Sequence, residues 1–283
     1  MEKEKLLRPV LPSLTDQSLK QSSQVQENST PQKAHILRVA TYNIHKGVRG
    51  FGPTVRAEYE NLAQAIREFD ADLIFLQEVR KQYHNKNIDD KLHLPEPQAS
   101  FLAPEGYISN YMTNAYTQKG QHGNALLSRW PAYEMTREDI SNNRFEQRGL
   151  LHVKILINNQ TLHCIVVHLS LMQNSRNWQQ QKLLNLVHRN IPHTDPILIA
   201  GDFNDWNDKF LLPMQEAGFM TFETPPKATY PSFAPMLRLD RIYARGLTPL
   251  NAYVPQGKIW TRMSDHLPLI GEFRLDASAP ITN

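Results

Sequence analysis

The sequence predicts an α/β domain in which apolar strands alternate with a few amphipathic helices. Short, mainly apolar runs recur along the chain, and polar groups stand at their ends. Other segments repeat apolar residues at helical spacing. With 283 residues, of which 40% are hydrophobic and 21% charged, the chain is long enough for one α/β or two-layer β domain with a sizeable core. We therefore expect one large domain rather than two small ones.

Strands are predicted where mainly apolar, β-rich runs occur between turn signals. Such runs cover residues 36–44, 73–79, 125–129, 150–157, 161–170, 196–205, 237–246 and 264–275. The run 73–79 begins with continuously apolar residues, which indicates a strand buried on both faces. Asn158 and Asn159 are expected to turn the chain as a hairpin.

Two helices are predicted from the spacing of their apolar residues. Residues 57–69 carry Leu62 and Ile66 on one predicted face, and residues 175–190 show the same period. Residues 81–120 are polar and contain several prolines, so we expect long loops there.

The start of the chain differs in composition from the rest. Residues 11–34 are rich in Gln, Ser and Thr and have few large apolar side chains, so burial cannot offset the entropy lost on ordering. We predict a disordered N-terminal tail over residues 1–34 and a folded domain over residues 35–283. A short recognition arm is the alternative interpretation of the tail.

Composition excludes several kinds of site. Lys and Arg number 31 against 28 Asp and Glu, and a formal charge of +3 is too small to indicate a nucleic-acid-binding protein by itself. Cys164 is the only cysteine, which excludes an internal disulfide and a cysteine-based zinc site. Its apolar neighbours predict a thiol buried in the core.

The sequence also carries few signs of a membrane or secreted protein. No run of about 18 apolar residues is present, so we expect no membrane-spanning helix. The N-terminal residues lack the apolar centre of a signal peptide. We expect a cytoplasmic monomer, with secretion that needs no cleaved signal as the alternative.

Ionisable or amide side chains stand at the edges of six predicted strands, in the motifs TYN, LQE, VHL, GDFN, RLD and SDH. Burying such groups is costly unless they contact each other or a metal ion. Each has an ordinary alternative role: Asn43 can cap a turn, Glu78 can pair with Arg80, and His168 can bond to core backbone. Because the ends of neighbouring strands meet at one rim, we expect the groups to converge in one cleft.

This set of groups has the composition that phosphoester hydrolysis needs. Carboxylate and amide oxygens bind hard cations, neutral donors bind phosphoryl oxygens, and a base activates water. Zn²⁺ is the weaker choice because its sites favour Cys or several His, so we expect Mg²⁺, with Mn²⁺ as the alternative. The motif GxxxxGK[ST] is absent from the sequence, which excludes a P-loop.

The order of motifs along the chain is informative, namely TYNIHKG, LQEV, GNALLSR, RGLL, VHLS, GDFND, LDRIY and SDHLPL. It resembles the endonuclease/exonuclease/phosphatase superfamily, which includes DNase I, and in particular its compact bacterial members. The resemblance covers about residues 36–275. It implies a DNase I-like four-layer α/β sandwich, with two mainly antiparallel sheets face to face, helices outside and the active site at one edge.

The resemblance further implies that residues 35–283 form a catalytic domain. Its expected activity is divalent-metal-dependent hydrolysis of phosphodiester or phosphomonoester bonds by an activated water. Glu78 corresponds to the main metal ligand, Asn43 lies beside metal and phosphate, and Asp265 is a possible further ligand.

The resemblance also implies the catalytic residues, which are His168, Asp202, Asn204, Asp240 and His266. His168 and Asn204 correspond to donors to the phosphate. Asp202 or His266 activates the water, with Asp240 holding the imidazole in one tautomer. At the level of sequence, both candidates for the general base and both one-metal and two-metal schemes stay open.

Substrate binding is expected to involve Asn43 and three basic residues near the site. Arg148 is similar to a recurrent basic residue of the family, and His45 and Lys46 closely follow Asn43. The expected substrate is nucleic acid or a phospholipid. The non-enzymatic alternative is a catalytically inactive phosphate- or nucleic-acid-binding module of the same fold.

The two expected substrates make different demands on the surface. Nucleic acid needs basic residues along the cleft, and the candidates are Lys46, Arg49, Arg56, Lys81, Lys119, Arg129 and Arg148. A phospholipid enzyme would make peripheral membrane contact through the Tyr and Phe side chains of residues 101–116.

Overall fold

The regular structure consists mainly of β-strands. The computed structural model describes residues 35–49, 56–82, 94, 96–117, 120–144, 146–257 and 259–276, and the predicted tail, residues 1–34, lies outside these ranges. The strands, in chain order, are β1 (His35–Asn43), β2 (Val48–Arg49), β3 (Arg56–Ala57), β4 (Leu73–Gln82), β5 (Ile108–Thr117), β6 (Gly120–Ser128), β7 (Ala132–Asp139), β8 (Gly149–Ile157), β9 (Gln160–His168), β10 (Ile197–Asp202), β11 (Asp240–Arg245), β12 (Thr248–Tyr253) and β13 (Leu269–Leu275).

Most of these strands belong to two sheets. A six-stranded sheet has the order β12-β13-β1-β4-β6-β5, and a five-stranded sheet has the order β11-β10-β9-β8-β7. One pair in each sheet is parallel, β1 with β4 and β9 with β10, and the other pairs are antiparallel. Parallel neighbours end at the same edge of a sheet, so each sheet directs two strand ends to one rim.

Helices cover the outer faces of the sheets. They are α1 (Tyr59–Glu68), α2 (Gln98–Leu102), α3 (Gln173–Asn190), α4 (Leu211–Glu216) and α5 (Trp260–Met263). Leu62 and Ile66 of α1 pack on the six-stranded sheet, whereas Leu183 of α3 and Met214 of α4 pack on the five-stranded sheet. None of the described helices is long and apolar enough to cross a bilayer.

Strand β10 shows how the layers are built. Leu198 and Ala200 point into the core between the sheets, and Ile197 and Ile199 point to the core under α3. Successive side chains of a strand face opposite sides, so a strand between two cores is apolar throughout. The architecture is the predicted four-layer α/β sandwich.

The prediction of long loops over residues 81–120 is wrong in part, because α2 and the ten-residue strand β5 lie there. Strands β7 and β12 were also not predicted. All three strands are at sheet edges, and the side chains of β7 and β12 are largely solvent-exposed. An edge strand with exposed faces needs no apolar run, so its sequence lacks the pattern that revealed the inner strands.

The aromatic residues of 101–116 are mostly structural. Phe101, Tyr107 and Tyr111 pack partly buried against the core, and the Tyr107 hydroxyl donates to the carbonyl of Ala71 at 2.8 Å. Only Tyr116 among these aromatics is largely exposed. The prediction that they lie in loops is therefore wrong, because they belong to α2, β5 and the turn between them, and membrane contact through them stays a prediction.

Two local predictions are confirmed. Asn158 and Asn159 have left-handed φ angles of 51° and 62° and join β8 to β9 as a hairpin turn. Cys164 is fully buried, and burial raises the pKa of its thiol well above the usual value. The thiol therefore acts as a packing group in the core.

Candidate active site

Polar strand ends meet at one edge of the two sheets. Asn43 ends β1, His168 ends β9 and Asp202 ends β10. Asp240 begins β11, which runs antiparallel to β10, so it stands opposite Asp202 in the register. The structure thus brings together residues that are far apart in sequence and come from both sheets.

The carboxylate of Asp202 lies at the centre of this cluster. Its Oδ2 accepts a hydrogen bond from Asn43 Nδ2 at 3.1 Å and lies 3.6 Å from Nε2 of both His168 and His266. Its Oδ1 accepts the backbone N–H of Asn204 at 2.9 Å. Burial raises the pKa of Asp202 to about 6. The cluster therefore contains a carboxyl group that titrates near neutral pH.

The imidazole of His266 lies between two carboxylates. Its Nδ1 donates to Asp240 Oδ2 at 2.9 Å, and its Nε2 faces Asp202. Burial opposes protonation, but Asp240 and Asp202 outweigh this effect and raise the pKa of His266 to about 10. The ring of Tyr230 packs against the imidazole at a centroid distance of 4.9 Å. His266 is thus held as an imidazolium in one orientation.

His168 and Asn204 are fixed by their surroundings. Asn204 has a left-handed φ of 49°, and its Nδ2 donates to the carbonyl of Leu169 at 2.9 Å. Burial, followed by the charge of Arg148, lowers the pKa of His168 well below its usual value. A neutral imidazole retains one N–H donor and one acceptor, so His168 can donate to an anionic oxygen.

Glu78 is displaced from the regular path of β4. The register with β6 shifts between Leu76 and Val79, and Glu78 has a left-handed φ of 57°. Its Oε2 lies 2.6 Å from Lys46 Nζ, so the ion pair is with Lys46 and not with the sequence neighbour Arg80. Burial would raise the pKa of Glu78, but Lys46 and two histidines lower it below the usual range. Glu78 is therefore ionised.

A short 3-10 turn, His45–Gly47, brings two basic side chains to the acidic groups of the site. Lys46 contacts Glu78, and His45 Nδ1 lies 3.5 Å from Asp265 Oδ1. Asp265 is about half exposed, with 47% of its side-chain surface accessible. Both predicted substrate-binding residues of this turn are thus paired with predicted metal ligands.

Two further predicted basic residues are held by acidic partners, whereas the side chain of Lys81, near the end of β4, is exposed. Arg148 Nη2 donates to Glu146 Oε1 at 2.9 Å and is largely buried. Arg129 pairs with Asp70 and Asp72 before the start of β4, at the end of the strand remote from Glu78. The prediction that Arg129 lines the cleft is therefore wrong. Three further candidates have side chains outside the described part of the chain, namely Arg49, Arg56 and Lys119.

Two polar residues of the site were not predicted. Ser264 Oγ donates to the carbonyl of Asn43 at 2.7 Å and accepts the N–H of His266, which ties the two segments together. Its position directly before Asp265 was the available signal. His122 on β6 lies near Glu78 and Lys46, and burial lowers its pKa to about 4. No sequence pattern distinguishes it from an ordinary strand residue.

The oxygen ligands of a metal would come from a small set. Within the described ranges, no cluster of three or more His, Cys, Asp and Glu side chains is arranged to hold an ion. Glu78, Asn43 and Asp265 are instead two carboxylates and an amide. Oxygen donors of this kind suit Mg²⁺ or Mn²⁺ better than Zn²⁺.

Comparison with known proteins places this site in a family. A sequence model of the endonuclease/exonuclease/phosphatase family matches residues 40–266, which include the whole cluster from Asn43 to His266. The chain belongs to the endonuclease/exonuclease/phosphatase family. Members of this family are in general phosphoesterases, which assigns the chain a phosphoester hydrolase activity in general terms.

Relatives of this family member span most of its length. YbhP of Escherichia coli (strain K12) is 35% identical over 251 residues, which cover 84% of this chain and 96% of YbhP. The UPF0294 protein VV1_1880 of Vibrio vulnificus (strain CMCP6) is 27% identical over 285 residues, covering 95% of this chain and 88% of that protein.

Solved structures of the endonuclease/exonuclease/phosphatase family share the fold. The Beutenbergia cavernae family protein matches with a TM-score of 0.66 at 21% identity, covering 86% of this chain and 72% of that chain. TDP2 of D. rerio, solved with a single-strand DNA product, matches with a TM-score of 0.61 at 16% identity, covering 84% and 98%. These likenesses confirm the DNase I-like sandwich.

Proposed function

We propose that this protein is a divalent-metal-dependent phosphodiesterase, with phosphomonoesters as further possible substrates, that acts by attack of an activated water. The observation that carries the proposal is the arrangement around Asp202. One buried carboxylate has the amide of Asn43 and the imidazoles of His168 and His266 within 3.6 Å. These groups supply a base, neutral hydrogen-bond donors and a positive charge, all of which are needed when water attacks a phosphoryl centre.

Asp202 is the general base in this proposal, and His266 is not. His266 has a carboxylate at each ring nitrogen and carries both protons, so it has no lone pair with which to accept another. The carboxyl of Asp202 has a pKa of about 6, which leaves it ionised at neutral pH and basic enough to take a proton from water. Asp240 keeps His266 oriented and charged.

His168 and Asn204 bind the phosphoryl oxygens. His168 is neutral and buried beside Asp202, and Asn204 is fixed next to Asp202 by the hydrogen bond from its backbone N–H to Asp202 Oδ1. Donors that are already oriented stabilise the negative charge of the transition state without reorganisation. Asn43 and the basic residues His45, Lys46 and Arg148 complete the surroundings of the phosphate.

The cation would be held by Glu78, Asn43 and Asp265. The chemistry of the donors fits a hard divalent ion, Mg²⁺ or Mn²⁺, because Glu78 is ionised and all three side chains offer oxygen. When bound, such an ion supplies positive charge to the phosphoryl oxygens.

The substrate is a phosphodiester of nucleic acid or of a phospholipid. Large apolar side chains are exposed on three segments that follow site residues or lead to Asp240, namely Leu171, Met172, Trp206, Phe233 and Met236. Exposed apolar groups around a polar cleft favour a substrate with an apolar or planar part beside the phosphate. Nucleobases and acyl chains both have this property.

The primary experiment measures hydrolysis of bis-p-nitrophenyl phosphate with Mg²⁺, Mn²⁺ or EDTA. We expect metal-dependent turnover that Glu78→Gln lowers at least about 100-fold. Glu134→Gln is the matched control, because Glu134 also pairs with a lysine but lies on the surface of β7. Full activity of Glu78→Gln would contradict the mechanism. Absence of turnover with every metal would favour the phosphate-binding module.

The substrate class is tested by a parallel screen. Plasmid DNA, RNA, glycerophospholipid vesicles and sphingomyelin are incubated with the wild type and with His266→Ala. The physiological class is the one that the wild type consumes and His266→Ala does not. Equal consumption by both proteins would indicate a contaminating enzyme.

A further inference from the structure

Lys46 places its ammonium group on the carboxylate that we assign to the metal. Its Nζ lies 2.6 Å from Glu78 Oε2, and the two side chains are 32% and 17% exposed. Salt and water screen a sheltered pair less than a pair on the surface. The chain itself therefore supplies Glu78 with a positive charge.

The backbone of the turn directs Lys46 to this position. His45, Lys46 and Gly47 have consecutive left-handed φ angles of 43°, 61° and 66°, which are unfavourable for residues with a Cβ atom. The buried amide of Gln98 holds the turn, because its Nε2 donates to the Lys46 carbonyl at 3.0 Å. Its Oε1 accepts the N–H of Arg80 at 2.7 Å, on the strand that carries Glu78.

Position 47, next to Lys46, requires glycine because Gln98 packs closely against the turn. A Cβ atom on Gly47 would lie 2.4 Å from Gln98 Nε2 and 2.7 Å from the ring of Tyr59. One buried amide thus connects the strained turn to β4, and close packing leaves the turn little freedom. The backbone position from which Lys46 reaches Glu78 is therefore set by the fold.

Glu78 differs from the other carboxylates of the site in the group that contacts it. Asp202, Asp240 and Asp265 lie beside imidazole nitrogens. Glu78 instead has an ammonium group at its Oε2, which is a position that a second cation on this carboxylate would need.

We propose that Lys46 is an internal counter-ion, which competes with the divalent cation for Glu78 and takes the place of a second metal ion. This rests on the proposed function, because it assigns Glu78 as the metal-binding carboxylate. The cation is bound more weakly than by the carboxylates alone, since it must displace the ammonium group. The displaced ammonium is then free to donate to the phosphoryl oxygens.

The test is Mn²⁺ binding to the full-length protein, followed by the electron paramagnetic resonance signal of unbound Mn²⁺. We expect one Mn²⁺ per wild-type chain. Lys46→Met is expected to bind Mn²⁺ roughly tenfold more tightly, because a charge that opposes the cation is gone. Lys46→Arg keeps the charge and should resemble the wild type. Lys154→Met is the matched control, since Lys154 pairs with Glu134 at 2.8 Å outside the site.

Several results would overturn the proposal. Unchanged or weaker Mn²⁺ binding by Lys46→Met would show that Lys46 does not compete, and two Mn²⁺ per wild-type chain would show that it does not replace a second ion. Lys46→Gln removes the same charge and replaces Lys46→Met if thermal unfolding shows that the latter is not folded.

Failure of the proposed function is recognised separately. Glu78→Gln that binds Mn²⁺ like the wild type would refute the assignment of Glu78 to the metal, whatever Lys46 does. Metal-dependent hydrolysis of bis-p-nitrophenyl phosphate, together with unaltered Mn²⁺ binding by Lys46→Met, would leave the proposed function intact and refute only the role of Lys46.

Discussion

Asp202 and Asp240 stand opposite each other across β10 and β11, and the imidazole of His266 bridges them. Two buried carboxylates side by side repel each other. The shared imidazolium offsets this repulsion. In the proposed mechanism the two carboxylates have different roles. Asp240 makes the close contact with the imidazole at 2.9 Å, and Asp202, 3.6 Å away, stays available to the water.

Asp240→Asn is expected to lower kcat by a factor on the order of 10² to 10³, with a smaller change in KM. The amide oxygen can still accept the Nδ1–H of His266, but the charge that keeps the imidazole protonated is lost. Steady-state kinetics with bis-p-nitrophenyl phosphate measures the effect. Asp195→Asn is the control, because Asp195 contacts His163 outside the site. Activity of Asp240→Asn within about threefold of the wild type would refute the role.

The pH dependence of kcat/KM is expected to be bell-shaped. Asp202 acts as a base only when ionised, so activity rises as pH increases through its pKa of about 6. His266 contributes only as an imidazolium, so activity falls as pH increases through its pKa of about 10. His266→Asn should lower activity and abolish the alkaline limb. An alkaline limb that persists in this variant would assign it to another group.

A buried histidine pair outside the site is expected to make stability depend on pH. His152 Nε2 and His163 Nδ1 are 2.9 Å apart, and His163 Nε2 lies 3.2 Å from Asp195 Oδ2. Burial lowers the pKa of His152 to about 4 and lowers that of His163. As the pH falls, these two histidines therefore bind protons in the unfolded chain before they do so in the folded protein. Stability is complete above about pH 6.5 and falls toward pH 4, by about 2 to 3 kcal/mol from His152.

Urea unfolding between pH 7.5 and pH 4.5 tests this pair. His152→Leu should be less stable than the wild type at pH 7.5 but should lose less stability on acidification. His188→Leu, an exposed surface substitution, should keep the full pH dependence. Parallel curves for wild type and His152→Leu would contradict the prediction.

Gly201→Ala is expected to destabilise the protein by about 2 to 4 kcal/mol. A Cβ atom on Gly201 would lie 1.9 Å from the carbonyl oxygen of Val167 on β9, so the strands must separate next to Asp202. Urea unfolding measures the loss. Gly106→Ala is the control: its Cβ meets no atom within 4 Å, and its left-handed φ of 79° costs about 1 kcal/mol. Equal effects of the two substitutions would refute the close approach.

The inner strands and the two long helices were predictable from sequence because burial imposes a pattern. Strands β1, β4, β8, β9 and β10 lie between other layers, so their residues must be apolar over several consecutive positions. Three of the four strands at the edges of the two sheets, β5, β7 and β12, are exposed in part, whereas the fourth, β11, is mostly buried and was predicted. The three exposed edge strands pair through backbone hydrogen bonds, which almost any residue can form. Their sequences therefore need no regular spacing of apolar side chains.

Part of the site could be predicted from sequence, because polar or charged residues at the end of an apolar strand are unusual. This reasoning found Asn43, Asp202 and Asp240, and the structure brings them together. It did not find the ion pair between Lys46 and Glu78, because no sequence pattern indicates which acidic residue a lysine in a turn will contact. Arg129 was misplaced for the related reason that a basic residue at a strand end gives no indication of which end of the sheet it occupies.

The sequence by itself determined the layered α/β architecture, the family resemblance and the residue types of a phosphoesterase site, since these depend on local burial and on motif order. Only the tertiary structure decided which groups neutralise each other. Electrostatic energy depends on distances between residues far apart in the chain. Both ring nitrogens of His266 face carboxylates, which is why the proposed mechanism assigns the base to Asp202. Lys46 reaches Glu78 from a backbone position that the buried amide of Gln98 holds.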